Sequence, residues 1–159
     1  MQMNEMTEMI LRLVLAGFLG SLIGLERDFR GKAAGTRTYL LVSLGSALMM
    51  IVSKYAFAAE GGDPGRVAAQ IVSGIGFIGA GAIMFDRQSV HGLTTAAGIW
   101  VVAGIGMASA AGMYTISIVT TLLALIGLEI GGWPFFRRKT NEPNKSDECQ
   151  LPPKSQVER

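Results

Sequence analysis

The chain is 159 residues long, half of them hydrophobic and 16% charged, with a mean hydropathy of +0.40; a soluble domain carries charge on roughly a quarter of its residues, so a water-soluble globule is excluded. Its 21 glycines follow no three-residue period, which removes collagen and points to closely packed helices, and its one cysteine, Cys149, leaves neither a disulfide scaffold nor a thiolate metal site. A net charge of +2 is too small and too dispersed for a nucleic-acid partner.

The opening residues, 1–8, are acidic where a signal peptide would be basic, so the first apolar stretch is expected to stay in the protein. Five such stretches follow one another, at 7–25, 38–59, 67–85, 92–109 and 113–133. Each has roughly the 18 to 22 residues that let an α-helix cross the hydrocarbon of a bilayer. None shows the polar face at helical period that a soluble bundle requires. The pattern predicts an all-α fold, a polytopic membrane bundle of five transmembrane helices filling 1–133, with the lipid bilayer as its first partner.

In the first stretch Glu8 stands four residues before Arg12, a ready partner for a charge that otherwise snorkels to the interface, as Lys54 does in the second. Gly20-x-x-x-Gly24 gives the first helix a face of small residues. The connection 26–37 then holds Arg27, Arg30, Lys32 and Arg37 beside Glu26 and Asp28. Its plain reading is a cytoplasmic retention signal whose acids pair with neighbouring arginines. Its functional reading is a polar site at the mouth of the bundle. There Arg37 and Thr38, opening the second helix, face Glu26 and Arg27, and Arg37 grips Glu26 or Asp86 in a fork that lysine cannot reproduce.

Before the third stretch, Asp63 is placed to cap a helix with Pro64 at its first position, and Arg66 and Gln70 follow on the same outer side. Gln70 and Ser73 continue a polar line expected to meet Thr94 or Thr95 across helices. Gly74-Ile-Gly76-Phe-Ile-Gly79 has dinucleotide-binding spacing, but it lies inside an apolar span with no acid some twenty residues on, and that reading is rejected. Gly74, Gly76, Gly79 and Gly81 are read instead as a bared helix face for a neighbour, in the same chain or in another copy. Gly104-x-x-x-Ala108 and Gly127-x-x-x-Gly131 are of the same kind.

Asp86-Arg87 repeats the acid–arginine order of Glu26-Arg27. Both acids could offer oxygen to a hard cation, but an arginine directly after each favours pairing, and no metal is assigned. Glu129 lies about 24 Å along the last helix, close to the cytoplasmic surface, and an acid within the membrane is a functional candidate. The segment 134–159, Pro-rich and charged, is expected to form a disordered basic tail, with Trp133, Phe135 and Phe136 at the interface ahead of Arg137, Arg138 and Lys139.

Lysine and arginine set the orientation. They crowd into 26–37 and the tail, while the N-terminus before Thr7 and the turn 110–112 have none and 60–66 has only Arg66. With five spans this places the N-terminus outside and the C-terminus in the cytoplasm, with 86–91 and its Arg87 also inside. A weak parallel repeat aligns Gly17-Phe-Leu-Gly20 with Gly76-Phe-Ile-Gly79 and Gly35-Thr-Arg-Thr38 with Gly92-Leu-Thr-Thr95.

Taken together, Gly20 to Thr38 (Gly-x-x-x-Gly-Leu-Glu-Arg-x-x-Arg-Gly-Lys-x-Ala-Gly-x-Arg-Thr), Asp63-Pro-x-Arg66 with Gln70, Ser73 to Ile83 (Ser-Gly-Ile-Gly-Phe-Ile-Gly-Ala-Gly-Ala-Ile) and Gly92-Leu-Thr-Thr-Ala-Ala with Trp100 resemble the MgtC/SapB family of bacterial inner-membrane proteins. The resemblance runs from the first helix to about Gly132. It implies a multi-pass protein of the inner membrane associated with magnesium homeostasis and, in some intracellular pathogens, with survival in macrophages when magnesium is scarce. Some members are held to act by restraining the F-type ATP synthase. Longer members carry a folded cytoplasmic domain where this sequence has a short tail, which leaves that domain's contribution to virulence open here.

Two function classes remain. In one, the protein is a regulatory or interaction partner in the membrane, its glycine faces docking a membrane protein or a second copy. In the other, it is a small cation (Mg2+) transporter or channel whose path runs past Gln70, Thr94, Thr95 and Glu26. Conduits place acids near the midplane, where this sequence has none, so the first class is preferred. His91 and Cys149 stand alone in polar stretches, no nucleophile, base and orienting group can be assembled, and neither an enzyme nor a cofactor is expected.

Overall fold

The computed structural model describes residues 3–57, 63–86 and 89–130. Helix α1 (Met3–Phe29) turns through Gly31 into α2 (Thr36–Val52), which continues as a π-helical turn, Ser53–Phe57. Helix α3 (Pro64–Gly81) leads into a hairpin of β1 (Met84–Asp86) and β2 (Ser89–His91), with Phe85 opposite Val90, and α4 (Leu93–Ala111) and α5 (Tyr114–Ile130) complete the described chain. Three of these helices, covering 4–29, 36–56 and 93–111, are long and apolar enough to cross a membrane, and α5 is apolar but shorter.

The hairpin corrects the purely helical expectation. Helix α3 ends at Gly81 rather than Phe85, and 84–91 pairs with itself. Strands of three residues are too short for their alternation to register against an apolar background. The opening of α3 follows the local signals: Asp63 accepts a hydrogen bond from the Gly65 amide at 2.8 Å, with Pro64 at the start. Both ends of α4 need glycine, because Gly92 (φ 88°) and Gly112 (φ 89°) sit in the left-handed region.

Large apolar side chains face outward as well as inward, and small hydroxyls are buried among them. Phe18, Leu41, Phe77, Trp100 and Leu123 are exposed, while Ser43, Ser109, Ser117 and Thr121 are buried. That distribution suits a chain whose surroundings are hydrocarbon. The hydroxyls of Ser109, Ser117 and Thr121 donate to the carbonyl one turn earlier, at 2.8, 3.0 and 2.8 Å, so they need no second helix. Ser43 does reach across, donating to the Ala16 carbonyl at 2.7 Å.

Helix α2 lies between α1 and α4, and glycine makes room on both sides. A methyl on Gly20 would stand 2.7 Å from Ser43 Cβ and 2.8 Å from the Tyr39 carbonyl, and one on Gly24 would stand 2.5 Å from Thr36 Cα. From α4, Gly98 faces the Tyr39 hydroxyl and Gly106 the Ser43 carbonyl, again with no space for a side chain. Around this contact pack Leu19, Ile23, Tyr39, Ile99, Val102 and Ile105.

Helix α3 behaves differently. Among the described residues a methyl on Gly74, Gly76 or Gly81 would meet nothing within 4 Å, and one on Gly79 would meet Ala96, its carbonyl at 3.6 Å and its Cβ at 3.8 Å. The expected glycine face of α3 is therefore open among the described residues, and Gly104 and Gly127 are open too. Gly79 nonetheless mirrors Gly20. The repeat aligns Tyr39 with Ala96, and each glycine looks onto the carbonyl of the aligned residue.

At the end of the bundle opposite the hairpin, Arg12 is buried and joins four segments, which corrects its reading as a snorkelling anchor. Its guanidinium donates to Tyr114 Oη at 3.1 Å, Tyr55 Oη at 3.3 Å, the Ala110 carbonyl at 3.1 Å and Glu8 at 3.1 Å. Only the Glu8 partner was legible from spacing.

Gly106→Ala is expected to destabilise the protein by about 1–3 kcal/mol, because the added methyl meets a backbone carbonyl. Gly104→Ala should be neutral or stabilising, since space is open there and alanine favours helix. Thermal unfolding in detergent separates the two, and equal losses would refute the three-helix contact. In the same assay Arg12→Met should cost about 1–3 kcal/mol through the oxygens it strands, and Arg12→Lys should recover only part of that loss.

Candidate functional site

The site forms where α1 ends. Arginines in a last helical turn face the negative end of the helix dipole and are held there, and Gly24 brings this turn against the start of α2. Asp28 receives the Thr36 amide at 2.9 Å and the Thr36 hydroxyl at 2.5 Å, so an acid from α1 caps α2. Gly35 is required beside it, because any side chain there would run into the Asp28 carboxylate. Asp28 is thus a cap rather than the partner of an arginine in an ion pair.

Arg27, only 2% exposed, places Nε and Nη2 on the two oxygens of Glu26. Arg30 donates through Nε to Glu26 at 2.7 Å and through Nη2 to Glu129 on α5. A chain of alternating charge, Arg27–Glu26–Arg30–Glu129, so ties α1 to α5. The Glu129 contact raises the Arg30 pKa further from its already high value, so that guanidinium stays charged.

Two expectations are corrected. The fork on Glu26 belongs to Arg27, not Arg37; Arg37 is exposed and Glu26 is already shared by Arg27 and Arg30. Glu129 is not an isolated acid in the membrane: its side chain is 59% exposed and paired to Arg30. Neither was visible beforehand, because adjacent residues do not ordinarily face each other on a helix and the Arg30 contact depends on how α5 packs.

Beside this network lies a cavity of about 480 Å³, lined among others by Arg27, Arg30, Lys32, His91, Thr94 and Thr95. The Thr95 carbonyl accepts from Tyr39 Oη at 3.3 Å, which fixes α4 against α2 just inside the cavity. His91 is held by Ser89 Oγ at 2.8 Å on the hairpin. The structure therefore brings together Glu26, Arg27, Arg30, Thr94, Thr95 and Glu129. Thr38 is half-buried on α2, Asp86 is exposed on β1, and Arg87 lies outside the described residues.

Asp63, Arg66 and Gln70 belong to the other end of α3. Gly79 is level with Ala96, and Gln70 is nine residues earlier in the helix, roughly 14 Å away along the axis. Gln70 is therefore not level with Thr94 or Thr95, and the expected polar line between them is not formed. Sequence reasoning missed Lys32 as a lining residue, having read it as orienting charge, and missed Tyr39, which nothing in its sequence context distinguishes. Arg27 and Arg30 on its wall are paired with Glu26 and Glu129, so these charges and Lys32 leave a net charge of about +1 at the cavity, and Lys32 is its unpaired cation among the described residues.

A family model described as the MgtC family matches residues 13–133. "Putative magnesium transporter YhiD" of Escherichia coli (strain K12) is 52% identical over 129 residues, covering 77% of this chain and 60% of its own. "Protein MgtC" of Salmonella typhimurium (strain LT2) is 46% identical over 116 residues, 73% of this chain and 49% of its own. An uncharacterized protein of Haemophilus influenzae is 40% identical over 127 residues, 75% of this chain and 53% of its own. The chain spans about half to three-fifths of the length of these relatives. No solved structure matches it. The match takes in α1 from Leu13, the glycine contacts, the charged turn and the cavity, all within one continuous stretch, and the chain belongs to the MgtC family.

Proposed function

We propose that this protein serves magnesium homeostasis, or adaptation to low magnesium, as a regulatory or interaction partner in the bacterial inner membrane, and that it is not an enzyme. The F-type ATP synthase is the candidate partner. In this reading five helices span the bilayer with the N-terminus outside, so the charged network and cavity face the cytoplasm. The magnesium link rests on family membership and on the name carried by the YhiD relative.

The observation that carries a regulatory role over transport is the sign of the charge at the mouth. A magnesium ion arriving there meets Arg27, Arg30 and Lys32 on the cavity wall, while the carboxylates of Glu26 and Glu129 are held by arginine. Divalent cations are bound through oxygen ligands, carboxylates above all; here the carboxylates are engaged by arginine and the remaining charge, on Lys32, is positive, which disfavours their entry. One turn further along α4, Tyr39 fills the space over Gly98, with Ile23 and Ile99 in the same core.

Purified protein in liposomes should leave internal magnesium unchanged, and affinity purification from membranes of magnesium-limited cells should return a specific membrane complex. Magnesium flux abolished by Glu26→Gln would overturn the regulatory reading in favour of transport. Glu26→Gln and Arg27→Gln should each cost about 3 kcal/mol. The double variant should cost little more, as partners in one buried pair do, whereas simple addition of the two losses would dissolve the pair. Orientation is checked separately: a membrane-impermeant thiol reagent should leave Cys149 unmodified in intact cells and modify it after lysis.

A further inference from the structure

The lining of the cavity suggests more than a repulsive field. Arg27 uses Nε and Nη2 on Glu26, and its side chain, 2% exposed, lines the cavity. Lys32, on the same wall, has no carboxylate partner among the described residues. The third surface is the first turn of α4. Its N-cap is Gly92, which has no side chain to cap with, and the first amide to find an acceptor is that of Ala96, bonded to the Gly92 carbonyl at 2.9 Å. The amides of Leu93, Thr94 and Thr95 are left without one among the described residues, and these three residues line the cavity together with Gly92.

We propose that this cavity binds a phosphate group, as a phosphomonoester or phosphodiester anion. Guanidinium, ammonium and the positive end of a 19-residue helix converge on one space from α1, the 30–35 turn and α4. A tetrahedral oxyanion can accept from all three at once, which a single carboxylate does less completely. The cavity opens at the end of the bundle, where the headgroups of anionic phospholipid lie within reach, and basic pockets between membrane helices bind such headgroups. The same chemistry is offered by phosphate compounds free in the cytoplasm. The inference does not depend on the regulatory reading, because it concerns the purified chain alone.

The test is thermal unfolding of the full chain in neutral detergent. Inorganic phosphate is titrated against chloride at matched ionic strength, and dioleoyl phosphatidylglycerol against dioleoyl phosphatidylcholine. A ligand that binds only the folded state raises Tm with concentration, by several degrees near saturation. A rise with phosphatidylglycerol alone identifies a lipid headgroup, a rise with phosphate alone a soluble ligand, and a rise with both a site open to either. Lys32→Gln, at an exposed position, should weaken the midpoint about tenfold, as loss of one charge-assisted contact does. Lys54→Gln, which removes the same charge at the other end of the bundle, should leave the midpoint unchanged. Absence of any rise for phosphate and phosphatidylglycerol alike, or equal weakening in the two lysine variants, would overturn the proposal.

Discussion

The close approach of α2 to both α1 and α4 is the constraint on which the remaining geometry depends. Helices in hydrocarbon gain little from burying apolar surface against one another, because lipid offers the same contact; tight packing and hydrogen bonds across the interface must hold them. Here Gly20 and Gly24 on one side and Gly98 and Gly106 on the other let the backbone of α2 come into direct contact. The Ser43 bond to Ala16 and the Tyr39 bond to Thr95 then fix its height against both neighbours. A shift of α2 by one turn would separate Thr36 from Asp28, and a shift of α4 would dissolve the cavity wall that begins at Gly92.

Charge is handled by the same economy of position. Among the described residues two arginines are buried, Arg12 and Arg27, both on α1, and each is bonded to oxygen. Arg12 spreads its donors over two tyrosines, a carbonyl and Glu8, so the far end of the bundle is fastened by one side chain. Arg27 gives two nitrogens to Glu26 and lines the cavity. The first arrangement uses four of the five guanidinium donors inside the bundle and reads as structural; the second stands at an opening, where a ligand can approach it.

The weak repeat read in the sequence has a counterpart at one contact in each half of the bundle. In each half a glycine looks onto the aligned carbonyl of the next helix, Gly20 onto Tyr39 and Gly79 onto Ala96, but the first pair is in tight contact and the second only touches. The charged turn of the first half is answered by a short hairpin in the second. One half thus supplies cations and the other a bare helix start, and the cavity exists because the halves differ.

Composition alone determined that this is a membrane protein built of helices, since a backbone in hydrocarbon must satisfy its hydrogen bonds internally. Signals carried by neighbouring residues were equally legible: the Asp63 cap before Pro64, the Glu8–Arg12 pair one turn apart and the charge density of 26–37. The tertiary structure alone decided which glycines pack, which arginine takes the fork, and that Arg30 finds Glu129 on a distant helix. The reason is physical. A helix that is apolar all round carries no periodic mark of the face it will bury, so Gly76 and Gly106 look alike in sequence until a neighbouring backbone arrives beside one of them.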